Sequence, residues 1–167
     1  MKWIKIKELN SYKGKSVNPL KEAETVFEMY SVPSYEGKFP EIITGSEIGS
    51  TKQKVKKDDV LLCKINPRIN RVWVVSQFTE NPTIASSEWI VIRNDKMYSK
   101  YLMWYFRSEY FRALMNLNVT GMGGSLMRAQ PKQVGEYLVP VPVYSIQIKI
   151  SDVLDKAKEI IEKRKEQ

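Results

Sequence analysis

The clearest periodicity in the sequence lies at its C-terminal end, in residues 144–167. Apolar side chains recur there at alternating steps of four and three residues, which is the heptad spacing of helices that pack against each other. The stripe consists of Ile146, Ile150, Val153, Leu154, Ala157, Ile160 and Ile161. With Ser145 as a suitable N-cap, the pattern predicts one helix of roughly 33 Å, which is stable only if its stripe is buried.

The stripe can be buried against its own domain or against a helix of another chain. We favour another chain, because Pro140 and Pro142 direct the backbone away from the preceding segment and the flanking positions are charged. Those charged positions are Lys149, Lys156, Lys158, Glu162, Lys163 and Lys165. We therefore expect a coiled-coil helical arm over residues 144–167, which forms a homodimer or pairs with a related chain.

Residues 1–143 predict one domain of the α/β (α+β) class. Up to about residue 95, short β-branched and aromatic runs alternate with Gly, Pro, Asn and Ser clusters, which is typical of short strands with irregular connections. Strands are expected over residues 25–32, 42–43, 60–65, 71–76 and 84–93. Large apolar residues then recur at helical spacing over residues 99–116, so a helix is expected to cover an irregular mixed or antiparallel sheet. A short helix over residues 131–137 and an extended segment over residues 138–142 complete the domain.

The charge balance favours an acidic partner, and the cysteine content restricts the environment. The chain carries 27 Lys and Arg against 19 Asp and Glu, a formal net charge of +8, which suits a surface that meets phosphate. Many basic proteins bind no nucleic acid, so the charge alone does not decide the function. Cys63 is the single cysteine, which excludes an internal disulfide and a multi-thiolate metal site in a monomer. No segment approaches the roughly 18 apolar residues of a membrane span, and a cytoplasmic location is expected.

The residues of common active sites are missing from the sequence. The chain has no histidine, which removes the commonest general base and metal ligand. The clustered carboxylates of a metal-dependent nuclease and the Asn-Pro-Pro-aromatic motif of an adenine methyltransferase do not occur either. The sequence therefore predicts a binding protein with no catalytic residue, metal or cofactor.

Three polar segments suit contact with a nucleic acid: residues 64–71, 86–89 and 125–132. Arg and Lys can grip guanine or a phosphate, and Asn can pair with adenine. For residues 86–89 and for the lysines near residue 54, contact with DNA and a purely structural or solvated role are equally supported. The candidate DNA contacts are Lys52, Lys54, Lys64, Asn66, Arg68, Asn70, Arg71, Ser86, Ser87, Ser125, Arg128 and Lys132.

Five segments, spread over nearly the whole chain, resemble the specificity subunits of type I restriction-modification systems. These segments are residues 61–71 (LLCKINPRINR), 85–92 (ASSEWIVI), 101–108 (YLMWYFRS), 120–128 (TGMGGSLMR) and 139–147 (VPVPVYSIQ). The resemblance implies that residues 1–143 form a target recognition domain and that residues 144–167 form a spacer arm.

In that family, two recognition domains sit at opposite ends of an antiparallel helix pair, and each reads one half of a split DNA site. Methyltransferase subunits dock on the arms and restriction subunits join the complex, which carries out the chemistry. This sequence matches one recognition domain and one short arm, so it resembles half a subunit, and both a natural half-subunit and a truncated chain remain open. As a half-subunit it would pair with a second copy and read a palindromic site.

Two other functions compete with DNA recognition. The same arm and basic surface would also suit an interaction module that binds methyltransferase subunits without reading DNA. An atypical nuclease is the third alternative, and cutting by the purified chain would reveal it.

Overall fold

The computed structural model describes residues 1–117, 119–121 and 127–167. The strands are β1 (Lys2–Lys5), β2 (Ser16–Val17), β3 (Val26–Tyr30), β4 (Glu41–Thr44), β5 (Lys52–Lys54), β6 (Val60–Cys63), β7 (Val72–Val74), β8 (Thr83–Ala85), β9 (Trp89–Ile92), β10 (Val119–Thr120), β11 (Arg128–Ala129) and β12 (Leu138–Val141). The α-helices are α1 (Ile6–Leu9), α2 (Ser99–Arg107), α3 (Glu109–Leu117), α4 (Pro131–Val134) and α5 (Tyr144–Lys165). Short 3-10 helices occupy Pro19–Glu22, Pro33–Gly37, Gly45–Glu47 and Pro67–Ile69.

The described strands form four small sheets. The largest has the order β2-β5-β8-β3-β4, and only its β3–β8 pair is parallel. A second, antiparallel sheet has the order β7-β6-β9, while β1 pairs with β12 and β10 pairs with β11. The irregular mixed sheet expected from the sequence is therefore confirmed.

Strand β6 lies at the centre of the domain because both of its faces are apolar and buried. Successive side chains of a strand point to opposite faces. Val60 and Leu62 accordingly pack into the cluster beneath α2 and α3, whereas Leu61 and Cys63 pack into a second cluster that contains Trp89. The three-stranded sheet thus has a helical layer on one side and an aromatic layer on the other.

Two of the expected elements are interrupted. The single strand expected over residues 84–93 is two strands, β8 and β9, with a tight turn between them, closed by a hydrogen bond from the Trp89 N–H to the Ser86 carbonyl (3.1 Å). The single helix expected over residues 99–116 breaks at Ser108, whose backbone is extended. The Ser108 hydroxyl accepts a hydrogen bond from the Phe111 N–H (3.2 Å), so this serine caps α3 and starts a new helix.

The N-terminal strand and the start of the last helix also differ from the expectations. Residues 2–5 are not among the expected strands, yet they form β1, which pairs antiparallel with β12. Helix α5 begins at Tyr144, and the residue at its N-cap is Val143, which makes no side-chain cap. Ser145 is therefore not the N-cap. The Val143 carbonyl accepts the first regular helical hydrogen bond, from the Gln147 N–H (3.2 Å), and also a tighter bond from the Ile146 N–H (2.9 Å).

Helix α5 packs on α2 through a polar side. Gln147 is buried, with its Oε1 accepting from the Tyr98 N–H (2.8 Å) and its Nε2 donating to the Pro142 carbonyl (2.8 Å). One turn later, Ser151 is buried as well, and Asp155 accepts from Lys100 and Trp104 (2.9 Å each). All seven members of the heptad stripe remain exposed: Ile146, Ile150, Val153, Leu154, Ala157, Ile160 and Ile161.

Candidate nucleic-acid interface

Three segments that are distant in sequence meet at one end of the three-stranded sheet, directly after β6 and before β9. Ile65 forms an antiparallel bridge with Arg128. The Ala129 N–H donates to the Lys64 carbonyl (2.8 Å), and the Lys64 N–H donates to the Glu88 carbonyl (3.0 Å). Backbone hydrogen bonds therefore hold residues 64–71, 86–88 and 127–132 side by side. We call this joined set of segments the recognition surface.

The segment between β6 and β7 has a backbone that depends on its asparagines. Asn66 and Asn70 both adopt left-handed conformations, with φ of 47° and 53°, a region that Asn tolerates better than most residues. They flank the 3-10 turn of Pro67–Ile69, where proline sets the first helical dihedral. Arg68 is exposed at the tip of this turn, and its carbonyl accepts a hydrogen bond from Arg112 Nη2 (3.4 Å).

Two candidate contact residues of this segment, Asn70 and Arg71, are packed against other parts of the protein. The Asn70 amide donates to the Phe106 carbonyl (2.9 Å) and so ties the segment to the end of α2. The Arg71 side chain is only 17% exposed, and its Nε lies 3.9 Å from a Glu36 carboxylate oxygen. Burial raises the pKa of the neighbouring Cys63 thiol, an effect that the Arg71 charge partly opposes.

Side-chain hydrogen bonds hold the turn between β8 and β9 in place. The Ser86 hydroxyl accepts from the Glu88 N–H (3.2 Å), and the indole of Trp89 donates to the Tyr30 carbonyl (3.0 Å). Gln53 donates to the carbonyls of both Ser86 and Trp89 (2.9 and 2.8 Å). The hydroxyl and carbonyl of Ser86 therefore both take part in holding the turn, whereas Ser87 is exposed at its tip.

The strongest electrostatic feature of the recognition surface is the pair of Arg128 and Glu88. Arg128 donates through Nε (3.2 Å) and Nη2 (2.8 Å) to the two carboxylate oxygens of Glu88. These hydrogen bonds hold the pKa of Glu88 below its usual value against the opposing effect of burial, and the charge of Lys64 acts in the same direction. At the point where the three segments meet, the Glu88 carboxylate is therefore ion-paired with Arg128 and also stabilised by the charge of Lys64.

The remaining candidate residues lie around this centre or outside it. Lys132 is exposed on α4, four residues beyond Arg128. Lys52 and Lys54 lie on β5, and because side chains alternate along a strand, they project to the face opposite Gln53. Burial lowers the pKa of Lys52, and the Glu41 carboxylate partly offsets this. Ser125 lies outside the described residues.

The sequence analysis did not identify two residues that support the recognition surface, Gln53 and Arg112. Gln53 supports the turn at Ser86, and Arg112 adds a cation beside the Arg68 carbonyl. Gln53 lies between the candidate residues Lys52 and Lys54, but nothing in the sequence singles out the glutamine itself, and Arg112 lies within a segment expected to be helical. Only the hydrogen bonds across distant segments identify them.

The described residues contain no group of three or more His, Cys, Asp or Glu that could hold a metal ion. Among the described helices, none combines the length and the apolar character that crossing a membrane requires.

No protein-family model matches the sequence, and no curated protein matches it. Solved structures do. An HsdS subunit from Thermoanaerobacter tengcongensis superposes with a TM-score of 0.81 at 19% identity, covering 99% of this chain and 44% of that chain. A chain from a structure that concerns complex assembly and conformational transition of the type I R-M system also gives a TM-score of 0.81, at 20% identity, covering 99% of this chain and 45% of that chain.

The chain therefore spans less than half the length of these solved chains, yet almost all of it is superposed. The resemblance stated from the sequence segments is confirmed at the level of the fold. The mixed α/β architecture with a long C-terminal helix is likewise confirmed. At 19% and 20% identity, the likeness concerns the fold alone.

Proposed function

We propose that the chain is a DNA-recognition unit of a type I restriction-modification complex and reads one half of a split target. The observation that carries the proposal is the superposition of 99% of the chain on an HsdS subunit at a TM-score of 0.81. The proposal makes the chain a non-catalytic subunit, with methylation and cleavage performed by the other subunits of the complex. Residues 1–143 are the recognition domain and residues 144–167 the arm.

The chemistry of the recognition surface agrees with duplex DNA as the ligand. Lys64, Arg68, Arg128 and Lys132 supply cations from two of the joined segments, and arginine can bind guanine O6 and N7 with two hydrogen bonds. Ser87 offers a small hydroxyl at an exposed turn tip, which allows close approach of a backbone. Asn70 and Ser86 contribute mainly by shaping these segments, because their side chains hydrogen-bond to backbone groups. Asn66 shapes the turn through its left-handed backbone, and the Arg71 side chain is only 17% exposed. Lys52, Lys54 and Ser125 remain candidate contacts.

The exposed stripe of α5 supports assembly as the role of the arm. A helix face of this kind is unfavourable in water, since apolar surface contributes about 25 cal/mol per Å² when it is buried. We propose that a second copy of the chain, or a related half-subunit, covers the stripe, and that methyltransferase subunits dock on the paired arms. A symmetric pair would read a palindromic split site.

The proposal is tested by selecting duplexes from a random-sequence library with the full chain, alone and together with a type I methyltransferase subunit. A recognition unit enriches a defined motif, and Arg68→Ala relaxes the preference at one base pair by roughly 1–3 kcal/mol if Arg68 reads a base. If Arg68 contacts a phosphate, the variant weakens binding to all sequences alike. Lys21→Ala, at an exposed lysine outside the recognition surface and the arm, is the control and keeps the motif.

An interaction module is the second candidate, and the exposed stripe of α5 is the observation that favours it. Such a module would bind the methyltransferase subunit tightly through the arm without adding sequence preference. Failure of the assembled complex to enrich any motif would therefore reject DNA recognition and leave the module. Metal-dependent cutting by the chain alone would instead support a nuclease.

A further inference from the structure

An apolar side chain is exposed in the turn that also carries Arg68. Ile69 is the last residue of the 3-10 helix Pro67–Ile69, and 46% of its surface is accessible to solvent. The apolar clusters of the described residues do not include it. Single exposed apolar residues are common on protein surfaces, so the backbone that holds Ile69 and the charges around it decide whether the residue has a function.

The backbone that carries Ile69 is held at both ends by distant parts of the domain. Before the turn, the Asn66 N–H donates to the Met127 carbonyl (2.8 Å), and after it, the Asn70 amide donates to the Phe106 carbonyl (2.9 Å). Inside the turn, the Ile69 N–H donates to the Asn66 carbonyl (3.0 Å). Isoleucine is also stiff at its first side-chain torsion, because it branches at Cβ. A ligand that contacts Ile69 therefore orders little that is not ordered already.

The surroundings of Ile69 are cationic. Arg68 is exposed beside it, and the exposed Arg112 donates to the Arg68 carbonyl (3.4 Å). Lys64 belongs to the same segment. An apolar group among cations suits a ligand that carries phosphates together with an apolar group of its own. In the major groove of DNA the C5-methyl group of thymine has this character, and apolar side chains contact it in sequence readout.

We propose that Ile69 is a specificity-determining residue that recognises a thymine through its C5-methyl group. The inference rests on the proposed DNA-recognition function and deepens it, because it names one base that the recognition surface reads. Consecutive Cα atoms are about 3.8 Å apart, close to the spacing of about 3.4 Å between stacked bases, so Arg68 and Ile69 can reach neighbouring base pairs. The methyl group projects from the edge of its base into the groove, within reach of a side chain as short as isoleucine.

The test replaces thymine by uracil, which differs from thymine only in lacking the C5-methyl group. The motif is first obtained by duplex selection with the full chain and a type I methyltransferase subunit, and each thymine of the motif is then replaced in turn. We expect one replacement to weaken binding of the unaltered chain about three- to five-fold, the effect of one methyl group that leaves an apolar contact. In Ile69→Ala the same replacement should leave the affinity unchanged, because the partner of the methyl group is gone.

Ile42→Ala is the matched control for this test. Ile42 has the same exposed fraction as Ile69, 46%, but it lies on β4 at an edge of the five-stranded sheet, outside the recognition surface. This variant should keep the full difference between thymine and uracil. Because both isoleucines are exposed, both variants should unfold at the thermal midpoint of the unaltered chain. The midpoint therefore separates the loss of a contact from a loss of folding.

The remaining outcomes separate the two proposals. A motif without thymine, or a motif in which no replacement by uracil weakens binding, would overturn the role of Ile69 and leave the proposed function in place. An Ile69→Ala variant that keeps the difference would overturn it as well, and weaker binding of the methyltransferase subunit by that variant would place Ile69 in a protein interface. If neither the chain nor its complex enriches any motif, the proposed function is wrong and the role of Ile69 falls with it.

Discussion

Helices α2 and α5 pack against each other, yet they bury opposite kinds of surface. Helix α2 turns Leu102 and Phe106 into the core, where both are fully buried. Helix α5 turns Gln147 and Ser151 towards the domain and leaves its apolar stripe outside. Because apolar burial supplies most of the driving force for packing, α2 is built to complete its own domain. The composition of α5 instead suits a helix that carries its main contact surface outward.

The polar side of α5 is nevertheless specific in its contacts. Gln147 satisfies both a donor at Tyr98 and an acceptor at Pro142, and Asp155 joins Lys100 and Trp104 of α2. Hydrogen bonds of this kind fix direction more than they add net stability. The comparison teaches that the domain sets the angle of the arm, while the exposed stripe provides for assembly.

Introducing aspartate into the stripe should produce the largest effect, on assembly. In a dimer, Val153→Asp with Ile160→Asp removes four buried side chains at about 1.5–3 kcal/mol each, roughly 6 kcal/mol or more in total. Light scattering over a concentration series should then show 19.4 kDa for the variant and twice that mass for the unaltered chain. Gln133→Asp with Ser145→Asp adds the same charges at exposed positions off the stripe and should leave the dimer intact. Equal masses for all three proteins would show that the apolar stripe of α5 does not hold a dimer together.

Truncation of a large apolar side chain should lower the free energy of unfolding much more on α2 than on α5. Phe106→Ala on α2 leaves a cavity in the core and should lower the free energy of unfolding by about 3–5 kcal/mol. Ile160→Ala on α5, at a side chain that is 53% exposed, should change it by less than about 0.5 kcal/mol in dilute solution. Urea unfolding below the concentration of dimer formation measures both. A comparable loss from Ile160→Ala would mean that the stripe is already buried within one chain.

Removal of the amide of Gln147 should loosen the arm without a change of volume. Gln147→Met leaves the Tyr98 N–H and the Pro142 carbonyl without their side-chain partner, which should cost about 1–3 kcal/mol. Hydrogen exchange of the Tyr98 amide and urea unfolding report the loss. Gln133→Met, at an exposed glutamine, is the control and should be neutral. An unaffected Tyr98 amide would show that this contact does not hold α5.

Acid should weaken the contact between α2 and α5 by the smallest amount. Burial alone would raise the pKa of Asp155, but hydrogen bonds from Lys100 and Trp104 outweigh it and hold this pKa below the ordinary 3.8. A depressed pKa in the folded chain means that the contribution is complete above the unfolded value and is lost as the pH falls through the folded value. For so exposed a pair the loss should not exceed about 0.5–1 kcal/mol.

The difference in unfolding free energy between the unaltered chain and Asp155→Asn isolates this contribution. The difference should be constant between pH 5 and 7, about one unit or more above the ordinary 3.8, and should shrink towards zero as the pH falls below that value. A difference that stays unchanged through this window would show that the Asp155 charge does not hold the helices together.

Local pattern was sufficient for several features of the protein. The heptad spacing predicted α5 and its stripe, and the short β-branched runs predicted strands such as β3, β6 and β7 close to their observed bounds. The polar character of residues 64–71 also singled out a segment that the fold places at one end of the three-stranded sheet, with Arg68 and Ile69 exposed. These features follow from residues that are neighbours in sequence, because side-chain periodicity and turn preference act within a few residues.

Other features depended on partners that no local pattern identifies. Distant parts of the chain are joined by the parallel pairing of β3 with β8 and by the pairing of β1 with β12. The hydrogen bond from the Asn70 amide to the Phe106 carbonyl joins two further distant parts. Glu88 and Arg128 are 40 residues apart, so neither could be assigned to the other from spacing.

The sequence by itself therefore determined several of the strands, the helix that carries an apolar stripe and the set of residues that are candidates for DNA. The tertiary structure alone decided which of those candidates share a surface and which are used to hold the fold. The physical reason is that propensity and periodicity are short-range, whereas the pairing of a buried or charged group depends on what the packed core brings within hydrogen-bond distance of it.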